Sequence, residues 1–243
     1  MSPWMGMSFF PSRHRCCTEC SQRKVKVHGE EVIEYYHRGV VCHLIGFDMA
    51  VPLDVEMLRP GEGEITAARR LFERVLDNYG RFFDAVVGDA LYLEAPFFNL
   101  CIDHRKHVVA VIKGDQRALL QDAQGLFADM KPGLWDEPRR LTEFWDVEGF
   151  TSAEGVKAPL RVLHAEETIT KRERIAKEWI ETVEDHHWWW ATTFPSLNFL
   201  AVNSGRQATA DGMLKMMSLT PFQPIGLWIT ALNMNPRPSQ TLF

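Results

Sequence analysis

An aspartate follows directly on an apolar run in Ala85-Val86-Val87-Gly88-Asp89, and this is the residue whose setting best suits chemistry. A short buried strand would hold its carboxylate at the carboxyl end, the edge where α/β sheets place ligand sites. There Asp89 could be catalytic; it could equally cap the next helix or brace a turn. A second constellation is Cys17-Thr18-Glu19-Cys20, one C-x-x-C pair with Cys16 beside it and His14 and His28 nearby. A structural zinc site needs four ligands, normally two such pairs, and no second pair exists. Cys17 and Cys20 therefore read either as zinc ligands or as free surface thiols. Trp188-Trp189-Trp190 would alternate faces on a strand, for core packing or, beside basic residues, for stacking on unpaired bases. Positive charge gathers at Arg13, Arg15, Arg23, Lys24 and Lys26 and again at Lys171, Arg172 and Arg174. Such runs are solvated surface or contacts to DNA phosphates. His186-His187 lacks carboxylates at helical spacing, and Glu62 and Glu64 sit where a helix start favours acids.

These groups need a fold to hold them, and the chain can supply one. Its 243 residues suit one large domain or a domain with an insertion. Hydrophobic residues make up 46% and charged residues 24%, enough for a core. A net charge of −5 excludes coating nucleic acid by bulk basicity but leaves room for local patches. No apolar run is long enough to span a bilayer, and the five cysteines without a signal peptide point to a reducing cytosol. Residues 32–45, rich in β-branched and aromatic side chains, read as a long strand, 46–49 as a turn and 50–55 as its antiparallel partner. Ile65, Ala68, Leu71, Phe72, Val75 and Leu76 recur at helical spacing. Residues 83–87 and 108–112 read as buried strands, 95–104 and 116–127 as helices. This order, β-β-α-β-α-β-α, predicts a mixed sheet with helices packed on it. From 135 to 193 short alternating stretches (139–145, 160–166, 179–183) predict a β-rich insertion, and beyond Pro195 the periodicity fades.

Six stretches together resemble a family of bacterial insertion-sequence transposases of the DDE class: CTECSQR at 17–23, EYYHR at 34–38, VPLDVEMLRPGEGE at 51–64, FDAVVGDALYLEAPFFN at 83–99, VVAVIK at 108–113 and WWWATT at 188–193. They occur in the family's order and span about three quarters of the chain, from 12 to 195. The resemblance implies an RNase H-like mixed sheet flanked by helices, with Asp89 as the second carboxylate of the catalytic triad. It divides the chain into an N-terminal segment with the cysteine cluster (1–29), a catalytic core (30–134), a β-rich insertion with the final core strand (135–193) and an irregular tail (194–243). Three carboxylates would hold two Mg²⁺ ions that activate water or a 3′-hydroxyl and stabilise the leaving oxygen at a phosphodiester. The partners implied are the DNA ends of the element, a second copy or an intact transposase in a dimer, and no membrane. The place implied is the cytoplasm, on the nucleoid. Arg23, Lys24, Lys26, Lys171, Arg172, Arg174 and Trp188 would be the contacts to DNA.

The chain departs from that pattern at both ends. Where the family carries its first acid, in a D-G-x-E-like motif, this chain has Trp4-Met5-Gly6-Met7-Ser8-Phe9. Trp and Met have single codons, so each codon's last base joined to the next two permits V-D-G-H-E-F, with the aspartate forced by Trp4-Met5. The same shift over residues 211–237 permits R-W-D-V-E-N-D-V and then L-D-H-C-F-K-H-E-P-T, which resembles the third acidic motif. Here Trp228-Ile229 and Met234-Asn235 force an aspartate and a glutamate. Frameshifts near Phe9-Phe10 and between about 193 and 211 would leave one catalytic acid of three, in an inactive chain with a poorly packed tail. One alternative is a chain that binds element ends or pairs with an intact copy and inhibits it; another is ribosomal slippage at Phe9-Phe10, giving a longer active product. Reading the gene in all three frames is expected to spell the missing acids in the neighbouring frame; a frame unable to spell them removes the frameshift account.

Overall fold

The computed structural model describes residues 8–45, 51–114, 117–175, 178–194 and 226–231. The protein is mixed α/β, mostly strands, with three α-helices among the described residues. The described residues divide into two compact units, one built around residues 8–44 and 51–82 and the other around 83–194.

The first unit is organised by one long strand. β1 (Ser8–Ser12) and β2 (Ser21–Val27) both pair antiparallel with the first half of β3 (Glu30–Ile45), and β4 (Val51–Met57) pairs antiparallel with its second half. The β2–β3 turn is His28-Gly29, with φ of 51° and 91°. Both residues are left-handed, as the tight two-residue turn that matches strand twist requires. That turn fixes the register from Val27↔Glu30 to Ser21↔Tyr36. The helix α1 (Glu64–Tyr79) buries Ala67, Ala68, Leu71, Phe72 and Val75, one face at helical spacing. Its other face carries Arg70 and Arg74, four residues apart and so on the same side. Arg74 Nε meets Asp54 Oδ2 at 2.6 Å and its Nη1 meets Glu56 Oε2 at 2.6 Å, while Arg70 reaches Glu56 at 3.0 Å and Glu62. The Arg74 guanidinium holds the Asp54 carboxyl below its ordinary value, and Arg70 does the same for Glu62. Strand β4 and the approach to α1 are thus fastened to the helix by ion pairs as well as by its apolar face.

The second unit is a six-stranded sheet in the order β5-β6-β10-β9-β8-β7. β5 (Ala85–Gly88) and β6 (His107–Val111) are parallel, joined through α2 (Ala95–Asp103). After α3 (Arg117–Ala128) come β7 (Gly133–Glu137), β8 (Arg140–Phe150), β9 (Leu160–Ile175) and β10 (Glu178–Thr192), each antiparallel to the one before. The end of β10 returns to pair antiparallel with β6, Trp190↔Val111 to Thr192↔Val109. The core beneath holds Phe97, Phe98, Val86, Val108, Ala110, Leu160 and Val162, all fully buried.

The expected strand–strand–helix–strand–helix–strand–helix order is found, with boundaries shifted by a few residues. β1, β2 and β7 were not expected; their residues are short or polar, and only pairing to a longer neighbour makes them strands. The expected turn at 46–49 lies outside the described residues. So does the expected irregular tail at 194–243, apart from Phe194 and a strand, β11 (Gly226–Ala231). No helix among the described residues is long and apolar enough to cross a membrane. Because Phe72 is fully buried on α1, Phe72→Ala is expected to cost about 3–5 kcal/mol in chemical denaturation.

Candidate functional site

Asp89 stands one residue beyond β5, whose four residues are all buried. Gly88 precedes it because a Cβ there would lie 2.8 Å from the Tyr92 Cβ. The ring of Tyr92 is itself fully buried, 5.1 Å edge-to-face from Phe97. Asp89 is half-buried and extended, and its Oδ1 accepts a hydrogen bond from the Leu91 N–H at 2.9 Å, capping the single 3₁₀ turn Ala90–Tyr92. The carboxylate therefore occupies the strand-end position and performs the capping role at once. Among the described residues it joins no group of three His, Cys, Asp or Glu side chains close enough to share an ion. A pair of Mg²⁺ ions needs several bridging carboxylate oxygens. The described residues do not fit that group.

A carboxylate that burial perturbs lies on β9. Glu167 on β9 is 2% exposed, and desolvation pushes its pKa above the ordinary value. Arg140 on β8, 3.2 Å away, and His186 on β10 oppose that shift, while Glu137 on β7 adds to it. On the same strand His164 is stacked 3.7 Å from Trp189 and 5.0 Å from Trp145. Its Nδ1 faces the Trp188 carbonyl at 2.9 Å and its Nε2 faces Glu166 at 3.0 Å. Neither Glu167 nor His164 stood out in the sequence, because only cross-strand register brings their partners together.

Cys17 and Cys20 do come together, and the structure adds a residue that sequence reading missed. The Cys20 N–H donates to the Cys17 carbonyl at 3.3 Å, closing a turn that sets the sulfurs 3.5 Å apart. His37 Nε2 lies 3.4 Å from Cys17 Sγ and 3.5 Å from Cys20 Sγ. The signal was present: continuing the β2–β3 register one step beyond Ser21↔Tyr36 sets Cys20 opposite His37. The Cys17 N–H also donates to Cys20 Sγ at 3.2 Å. That bond lowers the Cys20 pKa, but desolvation and the adjoining Cys17 thiol leave it raised overall. The other two thiols differ: burial pushes Cys42 and Cys101 far up, so both are inert fillers of the core.

The basic residues are largely engaged with acids. Arg23 pairs with Glu34 at 2.5 Å and lies over the Tyr36 ring, while Lys24 is 3.4 Å from Glu31 across the hairpin. Lys171 pairs with Glu184 at 2.7 Å; Arg172 faces Glu181 at 3.8 Å and covers the Trp179 ring. From 168 to 185 the sequence has four basic residues against five acidic, which reduces its pull on a phosphate. Lys24, Lys26 and Arg174 remain exposed. The three tryptophans alternate as expected: Trp188 and Trp190 stack along one face at 6.2 Å and Trp189 faces the other way onto His164. Trp188 is half-buried, and its indole N–H is enclosed without a hydrogen-bond partner among the described residues.

A carboxyl whose pKa is raised on folding favours the folded state below its ordinary value and opposes it as pH rises through the raised one. Glu167 is such a group. Glu167→Gln is therefore expected to flatten the fall of stability above the ordinary glutamate pKa, measured as the slope of denaturation midpoint against pH; an unchanged slope would refute it. No protein-family model matches this chain, and no curated protein sequence is significantly similar to it.

Proposed function

We propose that the chain derives from an insertion-sequence transposase of the DDE class, with an RNase H-like core, and that as translated it does not catalyse transposition. The observation that carries this reading is the setting of Asp89. It follows β5 at the carboxyl edge of the parallel β5–β6 pair, within the order strand, helix, strand, helix. The inactivity follows from chemistry. A phosphodiester held by two metal ions needs three acids, and Asp89 has no such company among the described residues. The frame-shifted reading of residues 4–9 and 211–237 accounts for where the other two went.

A second reading is a protein that binds element ends, or pairs with an intact transposase and inhibits it. Lys24 and Lys26 favour it, since both are exposed on the same face of β2. Either protein would work in the cytoplasm, on the nucleoid. Incubated with Mg²⁺ and linear DNA carrying the element's terminal repeats, the purified chain is expected to give neither cleavage nor joining. A product that disappears on Asp89→Asn would overturn the inactivity. Binding measured across a salt series separates the second reading: end recognition predicts preference over random duplex, and Lys24→Ala with Lys26→Ala should lower the salt slope by about 0.9 per lost phosphate contact.

A further inference from the structure

Of residues 13–20, which join β1 to β2, all but the half-buried Cys20 are exposed, so little apolar burial holds this connection in place. What gathers there is a trio of soft and borderline donors from two separate elements. Two thiols come from the connection itself and an imidazole comes from β3, which carries β1 and β2 on its first half. Zn²⁺ in a tetrahedral site sits about 2.3 Å from sulfur and about 2.0–2.1 Å from nitrogen, which sets sulfurs about 3.8 Å apart and sulfur about 3.6 Å from nitrogen. The separations here are 3.5 Å for the sulfur pair and 3.4 and 3.5 Å for the two sulfur–nitrogen pairs. All three edges of the triangle are thus within a few tenths of an ångström of a tetrahedral face. The thiols are free rather than joined as a disulfide.

The geometry points to a binding site for one thiophilic divalent ion, of which Zn²⁺ is the best fit, formed by Cys17 Sγ, Cys20 Sγ and His37 Nε2 with a fourth position open to solvent. Thiolate and imidazole together select zinc over the oxygen-seeking ions, so this site is distinct in chemistry from a carboxylate centre for Mg²⁺. The Cys17 N–H donating to Cys20 Sγ supplies the outer hydrogen bond that steadies a ligating sulfur. Cys17 is exposed, so one side of the triangle faces water, and three protein ligands with an exchangeable fourth complete the coordination. The ion would fasten the β1–β2 connection to β3. The inference stands independently of the transposase reading.

The full chain, purified under a non-chelating reductant, is tested by elemental analysis and by titration with Co²⁺. One ion per chain is expected, with a tetrahedral Co²⁺ spectrum, a thiolate-to-cobalt charge-transfer band and release of the two thiol protons. Cys17→Ser, Cys20→Ser and His37→Gln should each weaken binding by about 100-fold or more. Cys16→Ser and His14→Gln should leave it unchanged. His37→Cys guards against variants that fail to fold, because it should keep the ion and strengthen the charge-transfer band. Folded wild-type chain that binds no ion, an octahedral Co²⁺ spectrum, or oxidation of Cys17 with Cys20 in place of metal uptake would overturn the site. Loss of binding on Cys16→Ser or His14→Gln would overturn the open fourth position.

Discussion

Because successive side chains on a strand alternate between faces, a slip of one residue between paired strands would send every side chain to the wrong side. Both units depend on this constraint. In the first, the left-handed His28-Gly29 turn locks β2 to β3, and that register alone carries His37 to Cys20, residues seventeen apart in sequence. In the second, the pairing Trp189↔His164 and Trp145↔His164 stacks an imidazole between two indoles. The pairing Glu167↔Thr142 sinks a carboxylate into the sheet, with Arg140 as its counter-ion. None of these groups is near its partners along the chain.

The acid-rich stretch from 51 to 64 is occupied with structure. Asp54, Glu56 and Glu62 meet Arg70 and Arg74 on α1, and Glu64 opens that helix 3.9 Å from Arg38. These acids hold a strand to a helix face. Charge follows the same logic on β9 and β10, where cross-strand acids answer Lys171 and Arg172. An acidic protein that pairs its cations internally offers a polyanion few of them, and Lys24, Lys26 and Arg174 are among those still exposed.

What was legible in the sequence was local. The apolar spacing of α1 gave the helix to within a residue, and the apolar runs at 83–87 and 108–112 gave the buried parallel pair to within two residues. Strand-end placement put Asp89 at a sheet edge, and alternation told that Trp189 must turn away from Trp188 and Trp190. Long-range pairing was not legible. β2 is polar and β7 is five residues long, so neither announces itself without its neighbour. His14 and His28 are near Cys17 and Cys20 in the chain, whereas His37, the imidazole that meets them, is set by a turn eight residues beyond Cys20.

The β9–β10 pair changes character along its length. Up to Ile169 and Thr170 it has β8 and Arg139 beside it, but from Lys171↔Thr182 outward the two strands pair only with each other among the described residues. Trp179 and Val183 are more than half exposed there. An isolated two-stranded ribbon is only marginally stable in water. The tip can therefore unzip and re-form while the buried base stays shut, so backbone amides should exchange with solvent in a gradient that steepens toward residues 175 and 178.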